Sequence, residues 1–83
     1  MKLRTGVATA DTEYGIVLLD ERSGDYWQLN PTGALAVRRL LAGDTPEQAA
    51  AALAAEFDVT ADQALADVRA LLEQLRAARL VAS

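Results

Sequence analysis

The apolar pattern of this chain changes period once, at Asn30-Pro31. Before that point apolar residues come in short runs bounded by turn residues. After it they recur at spacings of three and four, which is the helical repeat. Strands first and helices afterwards predict an α+β fold. The junction itself, Gly24-Asp25-Tyr26-Trp27-Gln28-Leu29-Asn30-Pro31-Thr32-Gly33, is an aromatic strand that runs straight into a capped helix. Tyr26 and Trp27 are two of the four aromatic residues, and they are adjacent. Side chains alternate along a strand, so the two rings point to opposite faces and cannot share one core.

Three strands are expected in the first part. Val7-Ala8-Thr9-Ala10 is a weak candidate, and Gly15-Ile16-Val17-Leu18-Leu19-Asp20 is a strong one with β-branched residues at its start. Asp25 to Leu29 is the third. Glu21-Arg22-Ser23-Gly24 has the length and ending of a hairpin loop, so the second and third strands should be antiparallel neighbours. Asn30 is placed to cap a first helix, with Pro31 at its first position and Gly43 where a left-handed C-terminal residue belongs; the helix spans Pro31 to Ala42. Thr45-Pro46-Glu47-Gln48 has capping-box spacing and opens an alanine-rich second helix that runs to about Phe57, anchored by Leu53 and Phe57. Thr60-Ala61-Asp62-Gln63 repeats the spacing and opens a third helix that reaches about Ala78. Leu65, Val68, Leu72 and Leu75 form its seam, and Leu71 on the flank widens the apolar stripe enough to serve two surfaces. Leu80-Val81 is expected to close against the sheet.

With 83 residues the chain is read as one domain, 1–83, whose core every element must share. It contains no cysteine and no histidine, so neither a disulfide framework, a zinc knuckle nor an imidazole base is available, and no metal or cofactor is expected. Asp20-Glu21 and Ser23 sit in a turn with no general base to work with them, so no catalytic residue is assigned. No apolar run of about 18 residues could span a bilayer, and Met1 to Gly6 does not lead into a signal-peptide core. A cytoplasmic protein without a membrane partner is expected.

Three helices beside a small sheet form a winged helix-turn-helix arrangement, which makes a DNA-binding regulator the alternative to weigh. Phosphate contacts need cations, yet net charge is −4 and Lys and Arg never cluster beyond Arg38-Arg39. The second helix offers Glu47, Gln48 and Glu56, and no base. A nucleic-acid partner is therefore not expected. The third strand is the better candidate surface. Trp27 and Leu29 should share the inner face and pack on the first and third helices, while Tyr26 covers the outer face. If this strand borders the sheet, its unpaired backbone is a template for an added strand, guarded only by Asp25. An extended peptide docking there would send alternate side chains into the groove against the third helix.

Gly24-x-Tyr26-Trp27-x-Leu29-Asn30-Pro31-Thr32-Gly33, then Leu40-Leu41-Ala42-Gly43, Thr45-Pro46-Glu47-Gln48 and Asp67-Val68-x-x-Leu71-Leu72-x-x-Leu75, resembles the PqqD-like family. These are recognition domains of pathways that make ribosomally synthesised, modified peptides. The resemblance covers about Gly15 to Val81 and implies a winged-helix domain of three antiparallel strands followed by three helices. It implies that the leader segment of a precursor peptide adds as a strand beside the third strand and lies against the third helix. The peptide-binding positions it implies are Asp25, Tyr26, Trp27, Gln28 and Leu29 on the strand, and Asp67, Val68, Leu71, Gln74 and Leu75 on the helix. Val68, Leu71 and Leu75 would form an apolar floor, and Asp67 would take a basic or amide group. The chain most resembles the stand-alone recognition protein of lasso peptide biosynthesis, a non-catalytic adaptor whose partner is a separate leader peptidase of the cysteine type. The other common form is a peptide chaperone for a radical enzyme, as in pyrroloquinoline quinone synthesis.

Overall fold

The central strand sets the architecture. A computed structural model describes residues 1–82, and it orders the elements as β1 (Val7–Thr12), β2 (Gly15–Asp20), β3 (Tyr26–Leu29), α1 (Pro31–Leu41), α2 (Pro46–Glu56) and α3 (Ala61–Ala77). The sheet order is β1-β2-β3, antiparallel throughout. β2 lies in the middle, which its unbroken aliphatic run suits, and buries Ile16 and Leu18 toward the helices. Leu18 faces Trp27 and Ile16 faces Leu29 in the β2–β3 register, so Trp27 and Leu29 share the inner face. Tyr26 faces Leu19 on the outer face, where both side chains are exposed.

Two strand boundaries differ from expectation. β1 continues to Thr12, although its last four residues are all exposed. Pairing along the whole of β2 holds it there, a long-range effect that its own apolar content does not announce. β3 begins at Tyr26, because Asp25 completes the turn: its N–H donates to Ser23 Oγ at 3.1 Å while its carbonyl accepts from the Asp20 N–H at 2.9 Å.

The helices follow their caps. Asn30 Oδ1 accepts from the Gly33 N–H at 2.9 Å, and α2 carries the full reciprocal box between Thr45 and Gln48. In α3 only half of the expected box forms. Thr60 Oγ1 accepts from the Gln63 N–H at 3.1 Å, but the Gln63 side-chain amide donates to Asp67 Oδ1 at 2.8 Å, one turn further on. α1 ends with Gly43 at φ 107°, and α3 ends in the same type of left-handed cap with Arg79 at φ 58°. There the Leu80 N–H donates to the Leu75 carbonyl at 3.0 Å, which folds Leu80 back onto Leu75 and buries it fully.

That reversal also corrects the expected course of the C-terminal segment. Val81 does not join the sheet. It forms an antiparallel bridge with Leu3, flanked by bonds from the Arg4 N–H to the Leu80 carbonyl and from the Ala82 N–H to the Lys2 carbonyl, both 2.9 Å. The Leu80 side chain is buried with Leu18, Val37 and Leu75, and Val81 packs half-buried against the same cluster. A second buried cluster is built from helices alone, around Leu40, Leu53, Val68 and Leu72, and small alanines such as Ala49 and Ala64 let α2 lie close to α3. Leu71 packs against both clusters, so the wide stripe of α3 does serve two surfaces.

Candidate functional site

Hydrogen-bond parity decides which groups β3 leaves open. In an antiparallel ladder, pairs that exchange hydrogen bonds alternate with pairs that do not. The Asp20 N–H bonds the Asp25 carbonyl, and by the register the next exchanging pairs are Leu18 with Trp27 and Ile16 with Leu29. The peptide groups of Trp27 and Leu29 therefore face β2, while those of Tyr26 and Gln28 face away from it. β3 lies at the border of the sheet, and among the described residues no backbone group bonds to this outward side.

A groove of about 420 Å³ runs along that border between β3 and α3. Gln28 and Leu29 form one wall together with Asn30, Thr32 and Gly33 from the start of α1, and Asp67, Leu71 and Gln74 form the other. Val68 is completely buried and so can only be the base. A more enclosed continuation of about 340 Å³ is lined by Trp27, Leu75 and Leu80. Eight of the ten positions named from the sequence thus meet along one channel: Trp27, Gln28, Leu29, Asp67, Val68, Leu71, Gln74 and Leu75. Asp25 and Tyr26 do not line it. Asp25 belongs to the turn, and the Tyr26 ring points to the outer face, although its backbone shares the open edge.

Sequence reasoning missed the contribution of α1. Asn30, Thr32 and Gly33 were legible as a helix start, and the same residues become a wall because β3 passes into α1 without a loop. Leu53 and Val59, which also line the groove, are brought there by the packing of α2 on α3 and carry no local signal for it.

The groove is amide-rich at the rim and aliphatic at the base. Gln28 and Gln74 offer both donors and acceptors, which suits the main chain or polar side chains of a peptide, whereas the Asn30 Oδ1 is already taken by Thr32 and Gly33. Asp67 is its one ionisable side chain, and only one of its oxygens is occupied, by Gln63. The two carboxyls displaced from their ordinary range both lie outside the groove. Asp20 is lowered chiefly by the Arg22 N–H, with burial opposing and the Arg4 guanidinium assisting. Glu47 is lowered chiefly by its own N–H at the start of α2, with Arg69 assisting against burial. Among the described residues no cluster of three or more metal-ligating side chains occurs, and no helix is long and apolar enough to cross a membrane.

Three antiparallel strands, three helices and an open strand edge beside a groove define a winged-helix α+β module with a surface shaped for an extended chain. The protein belongs to the family described as coenzyme PQQ synthesis protein D, PqqD, which matches residues 15–81. Two solved structures share the whole fold. One, described as "Lasso peptide synthetase B1 complexed with the leader peptide", is 44% identical with a TM-score of 0.91, over 99% of this chain and 96% of that one. The other, "TbiB1 in Complex with the TbiA(beta) Leader Peptide", is 29% identical with a TM-score of 0.87, over 100% of this chain and 96% of that one. No curated protein matches the chain.

Proposed function

We propose that this protein binds the leader segment of a ribosomally synthesised precursor peptide in lasso peptide biosynthesis, and does so as a non-catalytic adaptor. The observation that carries the proposal is the open edge of β3, with the Tyr26 and Gln28 peptide groups turned outward beside the α3 groove. The leader adds there as a fourth strand. Its main chain pairs with Tyr26 and Gln28, and one row of its side chains enters the groove over Val68, Leu71 and Leu75. Asp67 takes a basic or amide group at the rim. The two similar solved structures, both complexes with a leader peptide, support this assignment.

What the groove contains supports the adaptor role. One carboxylate and the Thr32 hydroxyl among amides and aliphatic carbons suit binding a peptide, with no histidine or cysteine beside them to cleave it. Cleavage belongs to a separate leader peptidase of the cysteine type. Holding the leader raises the effective concentration of the cleavage site at that enzyme.

Titration of isotopically labelled protein with a synthetic leader of the 44% identical lasso peptide synthetase B1 tests the proposal. Amide shifts should concentrate on Tyr26, Gln28 and the Asp67–Leu75 segment of α3 and spare β1. Saturable shifts confined to β1 or to α2 would overturn the placement, and an absence of binding would overturn the function.

A further inference from the structure

A strand added to β3 carries two rows of side chains on opposite faces, and the α3 groove receives only one of them. The second row has a receptor too. β1 and β2 are joined through Glu13 and Tyr14, and the Tyr14 ring is 69% exposed. It is held beside the end of β3 by a close backbone approach: a Cβ at Gly15 would overlap the Leu29 carbonyl oxygen. A cleft of about 330 Å³ lies between Tyr14 and Pro31, with Gln28, Leu29 and Asn30 completing it. The last three residues also line the groove, whereas no α3 residue lines the cleft. The end of the open edge is therefore bordered by two separate depressions that meet along Gln28, Leu29 and Asn30.

We infer that Tyr14 forms a second subsite for the leader, taking an apolar side chain from the row that does not enter the α3 groove. The inference rests on the proposal that a leader adds to β3, and it assigns specificity to a residue outside the β3–α3 channel. Tyr14 and Pro31 supply the apolar contact, and the Gln28 amide stands at its rim to meet peptide main chain. An exposed ring with two torsions presents a large contact area at small entropic cost, which is why tyrosine recurs at binding anchors. Continuity supplies the occupant: a strand that pairs with Gln28 and continues past the end of β3 passes directly over this cleft.

Fluorescence anisotropy with the labelled leader of the 44% identical synthetase tests it, using wild type, Tyr14→Ala, Tyr14→Phe and Leu71→Ala together with alanine-scanned leaders. Tyr14→Ala should weaken binding by about five- to tenfold, the range of a moderate anchor, while Tyr14→Phe stays within about twofold. The leader position coupled to Tyr14 should be an odd number of residues from the position coupled to Leu71. Thermal melts confirm folding, and an exposed turn residue should not move them. Wild-type affinity in Tyr14→Ala, with Leu71→Ala weakened, overturns the second subsite and leaves the leader proposal standing. Coupling of Tyr14 and Leu71 to the same leader position also overturns it. Failure of the wild-type protein to bind overturns both.

Discussion

β1 and β3 both border the sheet, yet the chain covers part of one and leaves the other open. The Glu21 N–H bonds the Gly6 carbonyl, so parity turns Val7, Thr9 and Asp11 of β1 outward. The Val7 N–H is taken by the Arg4 carbonyl at 3.0 Å, and the Asp11 carboxylate is held by Arg38 of α1 at 2.8 Å. Arg4 is itself fixed, by Asp20 at 2.8 Å and by the Arg79 carbonyl at 2.6 Å. Among the described residues the outward groups of β3 receive no such cover. An unprotected edge invites unwanted pairing, so natural sheets usually blunt it with Pro, Lys or a covering segment. β3 has neither Pro nor Lys, and the contrast with β1 supports its edge as the one proposed to receive the leader.

The contrast can be broken at the point where β3 is pinned. Gly15→Ala drives a methyl group into the Leu29 carbonyl and should cost about 2–3 kcal/mol in urea unfolding, as overpacking against backbone does. A loss under about 0.5 kcal/mol would show that the end of β3 is not held as described. Matched prolines compare the edges directly. Gln28→Pro and Thr9→Pro each replace an outward N–H on a border strand, where proline is tolerated. Gln28→Pro should weaken leader binding more than about tenfold, and Thr9→Pro should leave it unchanged, by calorimetric titration. Equal losses would erase the distinction.

Smaller effects sharpen the same picture. Leu71→Ala should weaken leader binding by about 1 kcal/mol or more, because it removes the half-buried apolar wall while the groove base stays in place. Unchanged affinity in the folded variant would remove Leu71 from the site. The smallest effect concerns the tie near β1. Asp20 is held below its ordinary value of 3.8 in the folded protein. A depressed carboxyl contributes stability above its unfolded value, and that contribution fades as pH falls through the folded one. The stability difference between wild type and Asp20→Asn should therefore be flat near neutral pH and shrink below pH 3.8, followed by urea midpoints across an acid series. A difference that persists undiminished to the lowest pH would remove the charge from the tie.

Local chemistry made most of the elements legible. β2 and the starts of all three helices are as the sequence predicts, because caps and turns are written in neighbouring residues. The unexpected parts depend on distance along the chain. Thr60 and Gln63 had capping-box spacing, but a competing carboxylate one turn away at Asp67 took the glutamine amide. The Leu3–Val81 bridge joins segments at opposite ends of the sequence. In the groove, Leu71 was readable from helical spacing, and Gln74 only through the family resemblance. The place of Tyr14 beside the end of β3 was not legible, because a turn residue gains it only through the Gly15–Leu29 approach.

One junction has a mechanical meaning. β3 ends at Leu29 and α1 begins at Pro31, with Asn30 alone between them and its side chain occupied by Gly33 and Thr32. At the other end Asp25 is tied to Ser23 and Asp20. The strand is therefore fixed at both ends. A peptide that paired with it would bear most of the ordering cost itself.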